Sequence, residues 1–86
     1  MDVQELQQTL QKLGIKEIRY SLNGDLKTDA YILYPNYVKW EVFYMDERWG
    51  RHEEKAFPSE SEACEYILKK FQSILETEKK FGFKMI

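Results

Sequence analysis

The spacing of apolar residues changes twice along this chain, and that change limits the folds open to it. Near the start, apolar residues recur every three or four positions, at Val3, Leu6, Leu10 and Leu13. From Ile18 to Phe57 they alternate with polar residues, and from Ala63 to Leu75 the helical spacing returns. Because a helix buries every third or fourth residue and a strand every second one, the chain is expected to run from helix to strands to helix. The pattern therefore predicts an α+β fold.

Local signals at the helix starts support both helices. Asp2 can accept hydrogen bonds from the first free amides of a helix, which predicts a helix over residues 2–13. Ser59 and Glu62 form a capping box ahead of the second apolar stripe. The second helix is therefore expected over about residues 60–78.

The middle of the chain is predicted to form a sheet. Asn23 and Gly24 favour the positive φ angles of a tight hairpin. Pro35 and Asn36 end another apolar run, and Gly50 lies in a longer turn. The strands are expected at residues 18–22, 29–34, 37–45 and 52–57. The expected order is α-β-β-β-β-α, an antiparallel four-stranded meander packed against two helices.

The length of 86 residues is below the usual size of one domain, so residues 1–86 are expected to form a single domain with one core. Its ordered part is expected over about residues 2–78. The tail, residues 79–86, is ambiguous because Phe81 and Phe83 are apolar but follow no clear period.

Composition excludes several classes of function. Cys64 is the only cysteine and His52 the only histidine, so neither an internal disulfide nor a common Cys/His zinc site can form, and no metal or other cofactor is expected. The first residues hold no apolar signal segment, and no apolar run reaches the length of a membrane span. We therefore expect a cytoplasmic protein.

Both faces of the predicted sheet carry apolar residues, although a sheet covered on one side is usually polar on the other. One set needs a cover and forms a candidate contact surface: Tyr31, Leu33, Phe43 and Met45. Such a surface would meet another protein or a second copy of the chain. The alternative is that one helix, or the tail, covers it.

The predicted turn after the third strand places Trp49 between Arg48 and Arg51. Trp and Arg are the residue types most enriched among binding hot spots, so this turn is a second candidate contact site. The alternative is an indole folded back on the sheet, with both guanidinium groups paired to nearby glutamates.

No arrangement of residues predicts catalysis. Cys64 lies on the apolar stripe of the second helix and is expected in the core. Glu53 and Glu54 should point to opposite faces of a strand, so they cannot act on one substrate. The protein is therefore predicted not to be an enzyme.

The element order is similar to that of the double-stranded-RNA-binding domain, which places lysines at the start of its last helix. Here that stretch holds Glu60, Glu62 and Glu65, and the net charge of the chain is −2. Acidic residues there would repel phosphates, so RNA binding is the less favoured alternative.

Three segments together resemble a set of small, mostly uncharacterised bacterial proteins, some of them similar to immunity proteins encoded beside secreted polymorphic toxins. The segments are Trp40-Glu41-Val42-Phe43-Tyr44, the pair Glu47-Arg48, and Phe57-x-Ser59-Glu60-x-Glu62-Ala63-Cys64-x-Tyr66-Ile67-Leu68. In such sequences a glycine usually follows the Glu-Arg pair directly, whereas here Trp49 intervenes. The resemblance implies a cytosolic protein that binds and neutralises another protein, without a cofactor.

Overall fold

The fold is α+β, as predicted, in a computed structural model that describes residues 1–81. The elements in chain order are α1 (Val3–Lys12), a 3₁₀ helix (Glu17–Arg19), β1 (Tyr20–Ser21), β2 (Ala30–Pro35), β3 (Trp40–Met45), β4 (Arg51–Phe57) and α2 (Glu60–Phe81). The start of the predicted tail therefore continues α2, and the rest of that tail, residues 82–86, lies outside the described residues. Within the described part, neither helix has the length and apolar character needed to cross a membrane.

Both helices begin at the caps that the sequence predicts. Asp2 accepts a 2.8 Å hydrogen bond from the amide of Glu5, and Ser59 Oγ accepts one of 3.3 Å from the amide of Glu62. The two helix starts also meet, because the amide of Val3 donates to a carboxylate oxygen of Glu60 at 2.8 Å. One acidic side chain of α2 thus satisfies a free amide of α1.

The main core lies between the two helices and one face of the sheet, which we call the helix-covered face. α1 contributes Leu6 and Leu10, and both are completely buried. The rest of this core comes from the sheet, α2 and the segment after α1: Ile15, Tyr20, Leu33, Val42, Ala63, Cys64, Ile67 and Phe71. The helices therefore pack side by side on one face of the sheet, which gives the two-layer arrangement of small domains.

The sheet has the order β1-β2-β3-β4, but it is mixed and not an antiparallel meander. β1 runs parallel to β2, whereas β2, β3 and β4 pair in antiparallel fashion. The predicted hairpin at Asn23-Gly24 is therefore wrong, although Gly24 has the expected positive φ of 86°. The chain instead continues through a long loop before β2, and Lys27 Nζ closes this loop with 3.0 Å hydrogen bonds to the carbonyls of Glu17 and Tyr20.

The first predicted strand is shortened for a related reason. Residues 17–19 form a 3₁₀ turn, which leaves Ile18 exposed to 67%. Only Tyr20 and Ser21 then remain to pair with β2. The alternation of Ile18, Tyr20 and Leu22 predicted a longer strand because it could not reveal this turn.

The register of β2 and β3 decides which side chains share a face. Tyr31 pairs with Tyr44 and Leu33 pairs with Val42, and these four residues lie on the helix-covered face. The opposite face, called the second face here, carries Ala30, Ile32, Phe43 and Met45. All four are between 0 and 2% exposed. At residues 30–33 of β2 and 42–45 of β3, both faces of the sheet are therefore largely buried.

Candidate functional site

The predicted contact surface on the sheet does not exist as one exposed surface. Tyr31 and Leu33 lie on the helix-covered face, and Phe43 and Met45 lie on the second face. Leu33, Phe43 and Met45 are at most 2% exposed, and Tyr31 is half-buried against Phe71 of α2. The prediction that these side chains share an uncovered face is wrong, because it grouped residues of two strands before their register was known. The hypothesis of a homodimer formed through this face depended on the same uncovered surface and therefore loses its support.

The turn between β3 and β4 is a rigid structure built around Asp46. Its Oδ1 accepts hydrogen bonds from the amides of Arg48 at 2.9 Å and Gly50 at 2.8 Å. Its Oδ2 lies 2.6 Å from Nε2 of His52. The hydrogen bond to His52, together with those from the two amides, lowers the pKa of Asp46 below its ordinary value. The turn is therefore held by one ionised carboxylate.

Gly50 is required at its position because of close approach. A Cβ atom there would lie 2.9 Å from Oδ2 of Asp46, inside van der Waals contact. Any larger residue would have to displace the carboxylate that holds the turn.

Trp49 is the exposed aromatic residue of this turn. Its side chain is 59% exposed, and its backbone has a φ of 64°, in the left-handed region that favours glycine. The alternative of an indole folded back on the sheet is therefore not what the structure has. A bulky residue held in this conformation is unusual and is typical of functional positions.

The two arginines beside Trp49 differ in their surroundings. Arg48 is exposed, and its guanidinium group makes no hydrogen bond or ion pair with any residue in the range 1–81. Arg51 instead lies 4.3 Å above the ring centre of Phe43 and 3.8 Å from a carboxylate oxygen of Glu54. Arg48 and Trp49 thus form the accessible pair of the predicted site, whereas Arg51 packs against the second face.

A cleft that the sequence did not predict lies on the helix-covered face, at the end of the sheet that carries this turn. Its volume is about 280 Å³. Its aromatic wall is formed by edge-to-face contacts of Tyr31 with Tyr44 at 5.2 Å and with Phe71 at 5.4 Å between ring centres. The complete lining is Arg19, Asp29, Tyr31, Tyr44, Glu53, Phe71 and Ile74.

Glu53 enters the cleft because β4 is irregular there. Its φ of 55° accompanies a register shift opposite β3, and such bulges redirect side chains. The carboxylate accepts hydrogen bonds from Lys70 Nζ at 2.9 Å and from the hydroxyl of Tyr31 at 3.2 Å. Glu53 therefore already has two partners within the protein.

These contacts shift three ionisation equilibria. The hydrogen bond from Lys70 lowers the pKa of Glu53, and the same bond raises the pKa of Lys70. Burial, and then the negative charge of Glu53, raise the pKa of Tyr31 to about 12. The phenol of Tyr31 is thus a neutral hydrogen-bond donor at physiological pH.

Arg19 and Asp29 are the unpaired charged residues of the cleft. Nε of Arg19 is buried and has no hydrogen-bond partner among residues 1–81. Asp29 is exposed, has a φ of 57°, and likewise makes no ion pair or side-chain hydrogen bond within the described part of the chain. No local motif marks either residue in the sequence. The alternation on β2 and β3 could have paired Tyr31 with Tyr44, but only with the register known.

Two further features of the described residues are the thiol of Cys64 and the potential metal ligands. Cys64 is fully buried, and burial raises the pKa of its thiol to about 11, so it is a core residue as predicted. Across residues 1–81, no group of three or more His, Cys, Asp and Glu side chains is placed to hold a metal ion.

Comparison with known proteins adds no relative. No protein-family model, no curated protein and no solved structure matches this chain.

Proposed function

We propose that this protein is a non-catalytic protein-binding module whose contact is centred on Trp49 and Arg48. In its concrete form the proposal is an immunity protein that neutralises a toxin. The observation that carries it is the exposed indole of Trp49, 59% accessible and held at a positive φ. Glycine would adopt that backbone conformation at lower energy, so a role in binding explains tryptophan at this position better than a role in folding does.

The geometry of the turn supports this role. Asp46 fixes the backbone on both sides of the indole through two amide hydrogen bonds, so little conformational entropy remains to be lost on binding. Arg48 offers a free guanidinium group beside it, which suits a carboxylate on the partner. A partner with an apolar pocket rimmed by acidic side chains would match both groups.

The test is binding to a toxin domain encoded beside the gene for this protein. The double variant Trp49→Ala, Arg48→Ala should raise Kd by about thirtyfold or more, the effect of losing a hot-spot residue. The matched control is Tyr37→Ala, which removes a fully exposed aromatic residue from the β2–β3 connection at the other end of β3, and it should bind as the unmodified protein does.

The outcomes separate the components of the proposal. A folded double variant with unchanged Kd would remove the turn from the contact. If the unmodified protein does not bind the toxin but binds duplex RNA at low salt, the nucleic-acid alternative would replace the proposal.

A further inference from the structure

The cleft is lined by two side chains of opposite charge, Arg19 and Asp29, that are not paired with other residues of the described part of the protein. Its other acidic group, Glu53, is engaged by Lys70 and Tyr31. Arg19 and Asp29 line the same cleft without partners among residues 1–81, and Nε of Arg19 is buried. Charged side chains that line a cleft without a partner in the protein can pair with a ligand of opposite charge, and charge-assisted contacts of this kind are the stronger ones.

Between these charges the lining is aromatic and aliphatic. The rings of Tyr31, Tyr44 and Phe71 meet edge to face, and Ile74 completes the apolar part. A few polar groups around an apolar floor are typical of small-molecule sites. Aromatic walls of this kind suit a flat apolar group, because ring pairs gain attraction beyond the buried area.

We propose that this cleft binds a free aromatic amino acid, with its carboxylate on Arg19, its ammonium group toward Asp29 and its ring against Tyr31 and Tyr44. The ligand is a zwitterion, and it therefore satisfies both unpaired charges at once. An anion alone would leave Asp29 without a partner, and a cation alone would leave Arg19 without one. The site is separate from Trp49 and goes beyond the protein-binding role.

The size of the cleft agrees with this class of ligand. At about 30 Å³ per water molecule, a volume of about 280 Å³ equals the space of about nine waters. That space admits one small aromatic molecule. With so few ligand atoms, we expect a Kd of about 1 mM.

The experiment is an NMR titration of the ¹⁵N-labelled protein with L-phenylalanine, hydrocinnamate and phenethylamine. The last two lack the ammonium group and the carboxylate, respectively. L-Phenylalanine should shift amides around the cleft in a saturable manner, and each analogue should bind about tenfold more weakly because one charge-assisted contact is missing.

Variants of the two charged residues test the assignment. Arg19→Gln should weaken L-phenylalanine about tenfold and leave phenethylamine unchanged. Asp29→Asn should weaken binding of L-phenylalanine but not of hydrocinnamate, and asparagine tolerates the left-handed backbone at that position. Lys12→Gln, an equal loss of charge at the exposed end of α1, is the control and should bind all three ligands as the unmodified protein does.

Two results would overturn the proposal. One is the absence of saturable shifts with L-phenylalanine at about ten times the expected Kd. The other is equal binding of L-phenylalanine and phenethylamine, which would show that Arg19 does not hold a carboxylate.

Discussion

The strained backbone at Trp49 gives a sharp prediction about stability. Trp49→Gly and Trp49→Ala remove the same indole, so their difference reports the backbone alone. A residue with a Cβ pays about 1 to 2 kcal/mol in the left-handed region, where Trp49 has its φ of 64°. Glycine avoids that cost but loses about 0.5 to 1 kcal/mol more conformational entropy on folding. The Gly variant should therefore be more stable than the Ala variant by up to about 1.5 kcal/mol, with a central value of about 0.75 kcal/mol.

Urea unfolding, followed by circular dichroism, measures this difference. With a slope of about 1 kcal/mol/M for a small protein, the two urea midpoints should differ by about 0.75 M. The matched control is the same pair at Arg48, which has no positive φ, and there the Gly variant should be the less stable one. If the Ala variant at position 49 is as stable as the Gly variant, the claim of strain, and with it the main argument for a contact role of Trp49, is refuted.

Four further predictions concern the core and the cleft. Phe71→Ala should lower the free energy of unfolding by about 3 to 5 kcal/mol, because removing a fully buried ring leaves a cavity between α2 and the sheet. Thermal and urea unfolding would measure this loss of stability. A loss below about 1 kcal/mol would contradict the packing described for Phe71. Tyr20→Phe should be neutral or stabilising by urea unfolding, because the hydroxyl of Tyr20 is buried without a hydrogen-bond partner in residues 1–81; a clear loss of stability would point to a partner for that hydroxyl. Because the pKa of Glu53 is lowered, the stability that its ionised form contributes is present above the ordinary carboxyl pKa and is lost as the pH falls through the lowered value. Glu53→Gln should therefore reduce the free energy of unfolding more near neutral pH than in acid. A reduction that does not depend on pH would argue against the Lys70 contact. Cys64 should resist iodoacetamide in the folded protein and react after unfolding, as a mass measurement would show, and rapid labelling of the folded protein would contradict its burial.

The helices could be predicted from sequence because their signals are local. Asp2 and Ser59 each form the cap that their neighbours in the sequence indicate, and the apolar stripes behind them are the stripes that the core buries. The sheet was predicted less well because its topology depends on distant pairings. Asn23 and Gly24 favour a tight turn, but the chain forms a longer loop that Lys27 closes through hydrogen bonds, and β1 runs parallel to β2.

The candidate site shows the same division. The turn around Trp49 was found because its residues are consecutive and their types are common in interfaces. The cleft could not be predicted because Arg19, Tyr44 and Glu53 are distant in the sequence and are brought together only by the fold. A 3₁₀ turn and a β-bulge position two of them, and no residue pattern predicts either feature. The surface grouped around Tyr31 and Phe43 was wrong because one residue of register separates the two faces of a sheet.

The contact between the two helix starts has a consequence for the order of folding. α1 has 10 residues, fewer than the roughly 12 to 15 that an isolated helix needs in water. The side chain that bonds its first turn belongs to Glu60, 57 positions after Val3. The amide of Val3 therefore lacks this acceptor until α2 has been synthesised, and α1 is expected to dock late, after α2 has formed on the sheet.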